Sequence, residues 1–493
     1  YFVEKKGHET GRPRYDREKL LKIVLFAFME FGYCSVRFIQ KLCETDIRFL
    51  WILDGEKAPC HMTISNFIDN ELKLSLDEVF NDINSYMFKK LHVDLKHVYI
   101  DGTKIEANAN KYTWVWKKSC IKSRNNVFTK LSAILEEMNE EMAMYCRAVF
   151  EIRQEYAIEY VDYILKTYLD SVGMTTEDFV HGSGKRKTPQ QRLYEKVYDC
   201  YKKLKGYAQK IEICGEGRNS YSKTDNDATF MRFKKDHMKN DQLLPGYNLQ
   251  MVICDEMIAH FGVFAFASDM DCFQPLMDGF NIRYGFYPQY PVADAGYGSF
   301  NNYLYCEQHG MEKYMKFTMY EKETKDNKYR DNPYRAVNFA IDHEGFMVCP
   351  NGKRFYFLRT APIKGNQFER TEEYYQCEDC SGCPVKEKCI RQKKTDKTPL
   401  EERVKRLNVS KYFISQRTAM EEKISTEEGI LLRINRSIQA EGVFAMIKEG
   451  MNFRRFLTRG KANVTVEWYL VSMAYNILKL HHKIQKGRLG THL

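Results

Sequence analysis

The chain has 493 residues, of which 44% are hydrophobic and 29% are charged, and its formal net charge is +10. This length exceeds one ordinary core, so we expect two to four domains or large insertions. The apolar stretch IVLFAFMEFGY contains Glu30 and is too short to cross a bilayer, and no secretory signal is visible. These features argue against a membrane or secreted protein.

The positive charge is concentrated near one end of the chain. Residues 431–493 hold 11 Lys and Arg against 3 Asp and Glu, a net charge of +8. A basic segment of this kind suits a polyanionic partner, although a solvated helix face has the same composition. The 15 cysteines are odd in number and mostly scattered, which is typical of reduced thiols in a cytosol.

Residues 15–92 follow a helical pattern, in which apolar side chains recur every three or four positions. Gly32 should end the first helix, and Ser35 should cap the second. Short helices separated by tight turns are compatible with a helix-turn-helix DNA reader, although the pattern alone favours a plain helical bundle. We assign a helical DNA-binding domain to residues 1–92.

The rest of the chain alternates between strand-like and helical patterns, which predicts a mixed α/β core. Residues 117–212 are helical and rich in Glu, Lys and Met. We interpret them as an insertion built as a hairpin of two long helices. Residues 321–429 are polar and contain a cysteine group, which indicates a second insertion. The core is then assigned to residues 93–116, 213–320 and 430–493.

Three acidic residues stand in phrases suited to holding a metal ion. Asp101 and Asp294 follow apolar, strand-like runs, where we expect each to end a strand, and Glu441 lies in a helical, arginine-rich segment. Carboxylates are hard oxygen ligands that suit magnesium. Each acid by itself also fits a turn or helix-cap residue. Asp225 and Asp227 are rival ligands, which we interpret as structural or DNA-facing.

Four cysteines are spaced C-x2-C-x2-C-x5-C, at Cys377, Cys380, Cys383 and Cys389. Four thiolates can make a closed tetrahedral zinc site, which would stabilise a polar insertion that has little core. Iron–sulfur ligation and a group of free or redox-active thiols are the alternatives. Cys349 could substitute as a fifth ligand.

Two segments combine features that suit nucleic acid. In NKYTWVWKKS, aromatic side chains could stack on bases while lysines meet phosphates, although an aromatic core strand has the same pattern. The segment FRRFLTRGKANV follows Glu441 and is better placed for phosphates. The candidate DNA-binding residues are Trp114, Trp116, Lys117, Lys118, Arg436, Lys448, Arg454, Arg455, Arg459 and Lys461.

Four phrases together resemble the DDE transposases of bacterial insertion sequences: DGTKIEANANKYTWVWKKS, SKTDNDATFMR, VADAGYGS and RSIQAEGVFAMIKEGMNFRRFLTRG. More narrowly, they resemble the large subgroup that has an InsH-like helical N-terminal domain and a cysteine cluster before the last acid. The likeness extends from about residue 15 to residue 482. It implies a ribonuclease-H-like mixed sheet core, with an all-helical N-terminal domain, a helical insertion and a Cys-rich insertion.

The resemblance implies that Asp101, Asp294 and Glu441 are the catalytic carboxylates and that they bind magnesium, with two ions expected. The family also carries a tyrosine, an arginine and a lysine around the final acid. Lys448 stands seven residues after Glu441, as that pattern requires. Ser437 occupies the expected arginine position, with Arg436 one residue away, and no tyrosine precedes the acid at its expected place.

The function implied is metal-dependent DNA cleavage and strand transfer at the ends of the protein's own insertion sequence. The expected partners are double-stranded terminal inverted repeats and target DNA, bound by a homodimer in the cytoplasm of a bacterium, associated with the nucleoid. A catalytically inactive DNA-binding descendant and a nuclease without strand transfer are the alternatives.

Overall fold

The computed structural model describes residues 14–144, 149–182, 184–233, 242–363, 367–392 and 398–490. In this part of the chain, helices surround a mixed β-sheet, so the predicted mixed α/β class is confirmed. No helix within these ranges has the length and apolar character needed to cross a membrane.

The α-helices are, in chain order, α1 Arg17–Phe31, α2 Val36–Thr45, α3 Ile47–Leu53, α4 His61–Asn66, α5 Leu76–Leu91, α6 Lys117–Met144, α7 Ile158–Val172, α8 Pro189–Cys214, α9 Phe273–Tyr284, α10 Phe300–Gln308, α11 Tyr320–Lys325, α12 Asn327–Arg330, α13 Lys386–Cys389, α14 Lys411–Ser425, α15 Glu427–Ala445 and α16 Lys461–Gln485. The strands are β1 His97–Glu106, β2 Trp114–Trp116, β3 Ser220–Ser222, β4 Thr229–Arg232, β5 Leu243–Cys254, β6 Met257–Phe264, β7 Tyr290–Ala293, β8 Tyr314–Met315, β9 Ala340–Ile341, β10 Met347–Val348, β11 Phe355–Pro362, β12 Thr371–Cys377 and β13 Arg406–Val409.

The N-terminal helices form as the sequence predicts. Gly32 ends α1 with a φ of 73°, and the Ser35 hydroxyl caps α2 by accepting from Phe38 N. These helices share one hydrophobic core with the sheet and with α15 and α16, in which Phe28, Phe80 and Trp468 are buried. The N-terminal region is therefore packed directly on the rest of the protein.

The main sheet has the order β4-β5-β1-β7-β8, with β6 also paired to β5. The β1–β5 and β5–β6 pairs are antiparallel, whereas β7 is parallel to β1 and β8 is parallel to β7. Strand β5 is buried along most of its length, as expected for a strand covered on both faces. Helix α15 packs across β1 and β7, and this packing places its side chains beside Asp101 and Asp294.

The helical insertion has three helices, α6, α7 and α8, so the predicted hairpin of two long helices is wrong. The three helices enclose a core of their own, which includes Leu131, Ile164 and Leu204. In a hairpin of only two amphipathic helices, part of the apolar surface of each helix would remain exposed to solvent. In this protein α7 packs on that surface and joins the same core. Strands β2 and β3 pair where the insertion leaves and rejoins the core.

The Cys-rich insertion contains a three-stranded antiparallel sheet of β11, β12 and β13, and a small hairpin of β9 and β10. Its buried apolar cluster is small and consists of Phe339, Phe355, Cys377, Cys380 and Leu407. Few apolar side chains therefore stabilise this part of the chain.

Burial of His260 on β6 should make the free energy of unfolding depend on pH. Its side chain is buried, and Arg283 Nε donates to His260 Nδ1 at 3.2 Å. Burial, followed by the Arg283 charge, lowers the pKa of His260 to about 3. As the pH falls below about 6.5, the unfolded chain gains a proton that the folded chain does not bind, so stability should decrease by up to about 1.4 kcal/mol per pH unit.

Urea unfolding between pH 7 and pH 4.5 measures this effect. We expect His260→Gln to flatten the decrease in stability, since glutamine can accept from Arg283 without titrating. The control is His343→Gln, because the His343 side chain is 82% exposed. Equal pH profiles for wild type and His260→Gln would show that another group is responsible.

Candidate active site

Asp101 and Asp294 lie at the same level on two adjacent parallel strands. The register pairs Tyr99 with Val292, and each aspartate lies two residues further along. The predicted strand-end position is confirmed for Asp294, which directly follows β7. It is wrong for Asp101, because β1 keeps pairing with β5 as far as Glu106.

One arginine joins the two aspartates. Arg436 Nη2 lies 2.9 Å from Asp101 Oδ1 and 3.7 Å from Asp294 Oδ2, and Arg436 Nε donates to the Ile100 carbonyl at 3.2 Å. The side chains of Arg436 and Asp101 are 13% and 15% exposed, so water screens their charges only in part. The structure thus gathers Asp101 and Asp294 around a single positive charge.

The turn after Asp294 depends on glycine. Gly296 N donates to Asp294 Oδ1 at 2.7 Å, which fixes one carboxylate oxygen. A methyl group on Gly298 would lie 1.8 Å from the backbone carbonyl oxygen of Lys316, closer than any Cβ can approach. The sequence DAGYG therefore forms a tight turn that packs against the strand-like segment at Lys316 and holds Asp294 at the rim of the sheet.

Asp269 is a further carboxylate at this site, which the sequence analysis missed. Its Oδ1 accepts from the side-chain amides of Asn248 and Gln250, at 2.8 and 2.9 Å. Its Oδ2 is near Asp294, because a methyl group on Gly296 would lie 3.6 Å from Asp269 Oδ2 and 2.9 Å from Asp294 Oδ1. One sequence signal could have indicated a polar site here. Asn248 and Gln250 are polar residues at alternate positions of the apolar strand NLQMVIC, so their side chains lie on the same face.

Tyr297 is a buried residue whose hydroxyl is influenced by the charges of Asp269, Asp101 and Asp294. Its side chain is fully buried, and its hydroxyl donates to Gln250 Oε1. Burial, followed by the negative charges of Asp269, Asp101 and Asp294, raises the pKa of Tyr297 well above its usual value. The neutral phenol therefore remains a hydrogen-bond donor that fixes the Gln250 amide.

Glu441 lies on α15, the helix that carries Arg436, and Lys448 lies in the π-helical turn that follows it. Glu441 is exposed and lies five residues after Arg436, about 7.5 Å further along the axis and turned by about 140°. Lys448 follows in the π-helical turn Met446–Gly450, and its Nζ donates to Thr103 Oγ1 on β1. Lys448 thus reaches the strand that carries Asp101, whereas Glu441 is turned away from the face of α15 that carries Arg436.

Within the described ranges, no three His, Cys, Asp or Glu side chains are grouped as a ready-made metal site. This finding includes Asp101, Asp294 and Glu441, and it also includes the cysteine motif. Asp101 and Asp294 alone are drawn together by Arg436. Their role as metal ligands, and that of Glu441, remains a prediction.

The basic segment after Glu441 runs beside the end of β1. Phe453 and Phe456 are buried, and Phe456 N donates to Glu106 O at 3.0 Å. The cationic side chains between and after these anchors are exposed, which leaves them available to a large anionic ligand. They are Arg454, Arg455, Arg459 and Lys461.

Asp225 and Asp227 hold this segment in place. Asp225 is 3% exposed and accepts from the Tyr247 hydroxyl and from Gly460 N. Asp227 Oδ2 accepts from Lys461 N at 2.8 Å. Both contacts agree with the structural reading of these two acids.

The aromatic pair beside the helical insertion faces outward. Trp114 is 47% exposed and Trp116 is half-buried, while Val115 between them points into a core. Lys117 Nζ donates to the Gly215 carbonyl at 2.5 Å, and Lys118 is exposed. The strand is therefore not wholly buried, and the DNA-stacking role of the two tryptophans remains a prediction.

Two comparisons with known families bear on this arrangement. The transposase DDE domain family matches residues 348–481, and a family described as "Transposase domain (DUF772)" matches residues 2–70. No curated protein matches the chain. These two matches support a DDE transposase of an insertion sequence.

The matched regions contain only part of the candidate site. The segment 348–481 includes Arg436, Glu441 and Lys448, together with the cysteine motif and the basic segment. Asp101 and Asp294 lie outside both matched regions. Fold geometry thus connects the matched C-terminal region to the two aspartates, through the contacts of Arg436.

Proposed function

We propose that this protein cleaves DNA at the ends of its insertion sequence and transfers the cut strands to a target. The observation that carries the proposal is the convergence of Asp101 and Asp294 at Arg436. Arg436 belongs to the region matched by the DDE transposase family, which implies DNA as the partner. The exposed basic segment beside the site supports the same partner.

A ribonuclease-H-like core is part of the proposal. The strands follow the spatial order β6-β5-β1-β7-β8, with an antiparallel trio followed by two parallel strands. Helix α15 crosses β1 and β7 on one face. In this arrangement Arg436 of α15 contacts Asp101 within β1 and Asp294 just after β7, and we propose that a substrate backbone approaches here.

The donor set at this rim fits magnesium, because carboxylate oxygens are its preferred protein ligands. Asp101 and Asp294 would hold the ion, with Glu441 supplied from α15. When bound, a pair of such ions polarises the attacking and leaving oxygens of a phosphodiester for in-line displacement. In the free protein, Arg436 offsets the repulsion between the two aspartates and so keeps them preorganised.

The cationic side chains would bind and orient the DNA. Lys448 reaches Thr103 beside Asp101, so its ammonium is placed to meet a phosphate near the reacting group. Arg454, Arg455 and Arg459 would bind the flanking backbone. We also propose that a homodimer binds the two ends of the element and that the Cys-rich insertion contains zinc.

Incubation of the purified protein with Mg²⁺ and labelled inverted-repeat DNA tests the proposal. We expect 3′-hydroxyl ends to appear first and joined products to follow when target DNA is added. Cleavage without joining would indicate a nuclease, and a mobility shift without either product would indicate an inactive DNA-binding protein. Both of these results contradict the transposase.

The magnesium dependence of cleavage tests the role of Asp269. Asparagine can still accept from the amides of Asn248 and Gln250, so Asp269→Asn should fold while it loses one negative charge beside Asp294. We expect the Mg²⁺ concentration for half-maximal cleavage to rise by about 10-fold or more, the usual scale for groups that support metal ligands. The control is Asp271→Asn, because Asp271 is a neighbouring carboxylate that is exposed. Equal Mg²⁺ dependence of cleavage in the two variants would show that Asp269 does not support metal binding.

A further inference from the structure

Charge is distributed unevenly along the helical insertion. The first half of α6, residues 117–130, contains five Lys and Arg and no Asp or Glu. Its second half, residues 131–144, contains four Glu and no Lys or Arg. In α8, residues 200–214 contain four Lys against one Glu. Helix α6 therefore has a basic end and an acidic end, and the last part of α8 is basic as well.

The fold places the two basic stretches side by side. Helix α6 begins directly after β2, α8 ends shortly before β3, and β2 and β3 are paired. Cys120 of α6 and Cys214 of α8 are buried in one small cluster at this end. Leu131 and Leu204 are buried together further along the insertion. The two helices are thus antiparallel, and their basic stretches meet at the end of the insertion where it joins the core.

The exposed side chains of this basic end are polar or charged. We call them the insertion face, and none of them is apolar. On α6 they are Lys118, Ser119, Lys122, Asn125, Asn126, Thr129 and Lys130, and on α8 they are Lys202, Lys203, Lys205, Gln209 and Glu212.

The composition of the insertion face fits DNA better than it fits a protein partner. Protein interfaces are centred on buried aromatic or aliphatic anchors, and the insertion face has no such side chain. Lys, Ser, Thr, Asn and Gln are side chains that contact the phosphate oxygens of DNA. A dense group of lysines also attracts a polyanion from solution. The chemistry of the face therefore indicates a phosphate backbone as its partner.

The base of the insertion is fixed against the basic segment beside the candidate active site. Arg218 follows α8 and donates to the carbonyl of Cys214 at 3.4 Å and to the carbonyl of Asp227 at 3.1 Å. Asp227 Oδ2 in turn accepts from Lys461 N at 2.8 Å. The loop that carries Asp227 thus connects the end of α8 to the basic segment, so one DNA molecule can contact both.

We propose that the insertion face binds the phosphate backbone of the DNA duplex that this protein is proposed to cleave, on one side of the bond to be cut. The inference rests on the proposed function, because it takes DNA as the partner. Residues 117–130 extend over about 20 Å of helix, which corresponds to about 6 base pairs of duplex. The four glutamates further along α6 repel phosphates and so limit the contact to this length.

The salt dependence of DNA binding tests the proposal. The face variant combines Lys122→Gln, Lys130→Gln and Lys205→Gln, which replace exposed lysines and leave the buried side chains of both helices unchanged. Each phosphate contact contributes about 0.9 to the slope of log affinity against log salt concentration, so the slope should become shallower by about 2–3. Affinity at about 0.1 M salt should decrease by about 10-fold or more. Binding of full-length protein to inverted-repeat DNA with its flanking sequence is measured by mobility shift.

A matched control removes the same charge elsewhere. It combines Lys166→Gln, Lys325→Gln and Lys328→Gln, which are exposed positions on α7, α11 and α12. We expect its salt slope and affinity to equal those of the wild type. Equal slopes for the face variant and the wild type would overturn this inference and leave the proposed function intact. A wild-type protein that does not bind DNA would refute the proposed function, and this inference with it.

Shortened duplexes locate the contact. The DNA is shortened from either end in steps of about 6 base pairs, and the affinities of the wild type and the face variant are measured at each step. At one step the difference between the two proteins should disappear, because the DNA that contacts the insertion face has been removed. A constant difference at every length that the wild type binds would show that the lysines act through general charge, and it would contradict the proposal.

Discussion

Replacement of Asp101 or Asp294 by asparagine is expected to decrease DNA cleavage by about 10³-fold or more. A metal ion contributes several kcal/mol of transition-state stabilisation, and each 1.4 kcal/mol corresponds to a factor of 10 in rate. The amide cannot supply the charge that holds a divalent cation. DNA binding should change by less than about twofold, since the exposed cations of the basic segment lie elsewhere and remain intact.

The rates are measured in single-turnover assays on labelled inverted-repeat DNA, and binding is measured by mobility shift under the same salt conditions. Asp82→Asn is a matched control, because Asp82 is exposed on α5 and far from β7 in the chain. The assignment of either aspartate fails if its asparagine variant cleaves at the wild-type rate. Loss of folding is checked by urea unfolding of each variant.

Replacement of Gly298 by alanine is expected to destabilise the protein by about 3 kcal/mol or more. Its Cβ would lie 1.8 Å from the Lys316 carbonyl oxygen, so one backbone segment has to move. Overpacking against a flexible side chain usually costs about 1–3 kcal/mol, and backbone has less freedom to shift. Because Gly298 lies in the turn that follows Asp294, the same movement should also decrease cleavage.

Gly206→Ala is the matched control for this substitution. Gly206 lies in α8 with open space around it, so alanine should be neutral or should stabilise the helix by up to about 1 kcal/mol. Urea unfolding of the two variants gives the comparison. Equal unfolding midpoints for Gly298→Ala and wild type would show that the turn is less tightly packed than described.

The sequence was sufficient for the mixed α/β fold class. Apolar, strand-like runs predicted the strands before Asp101 and Asp294. The phrases around Asp101, Asp294 and Glu441 predicted a carboxylate site, with Arg436 near the last acid. Asp101 could not be placed correctly within β1, because the apolar pattern stops at Ile100 while pairing with β5 continues. Local hydrophobicity does not report a partner strand that is distant in the chain.

Two features depended on the tertiary structure: the position of Asp269, and the position of Cys349, which lines one small cavity with the four motif cysteines. Asp269 follows β6 in a polar loop, where an aspartate has many ordinary roles. Only the packing of the loop on Asn248 and Gln250 shows that its second oxygen is beside Asp294. Cys349 is similarly remote from the cysteine motif in sequence.

The central claim is that Asp101 and Asp294 bind the divalent cation that DNA cleavage requires. It is tested most directly by a crystal structure of the protein with Mn²⁺ and an inverted-repeat end, in which the ion is located by its anomalous signal. We predict manganese in direct contact with carboxylate oxygens of both aspartates and Arg436 withdrawn from between them. Manganese bound elsewhere, with Arg436 still joining Asp101 and Asp294 beside a bound DNA end, would contradict it.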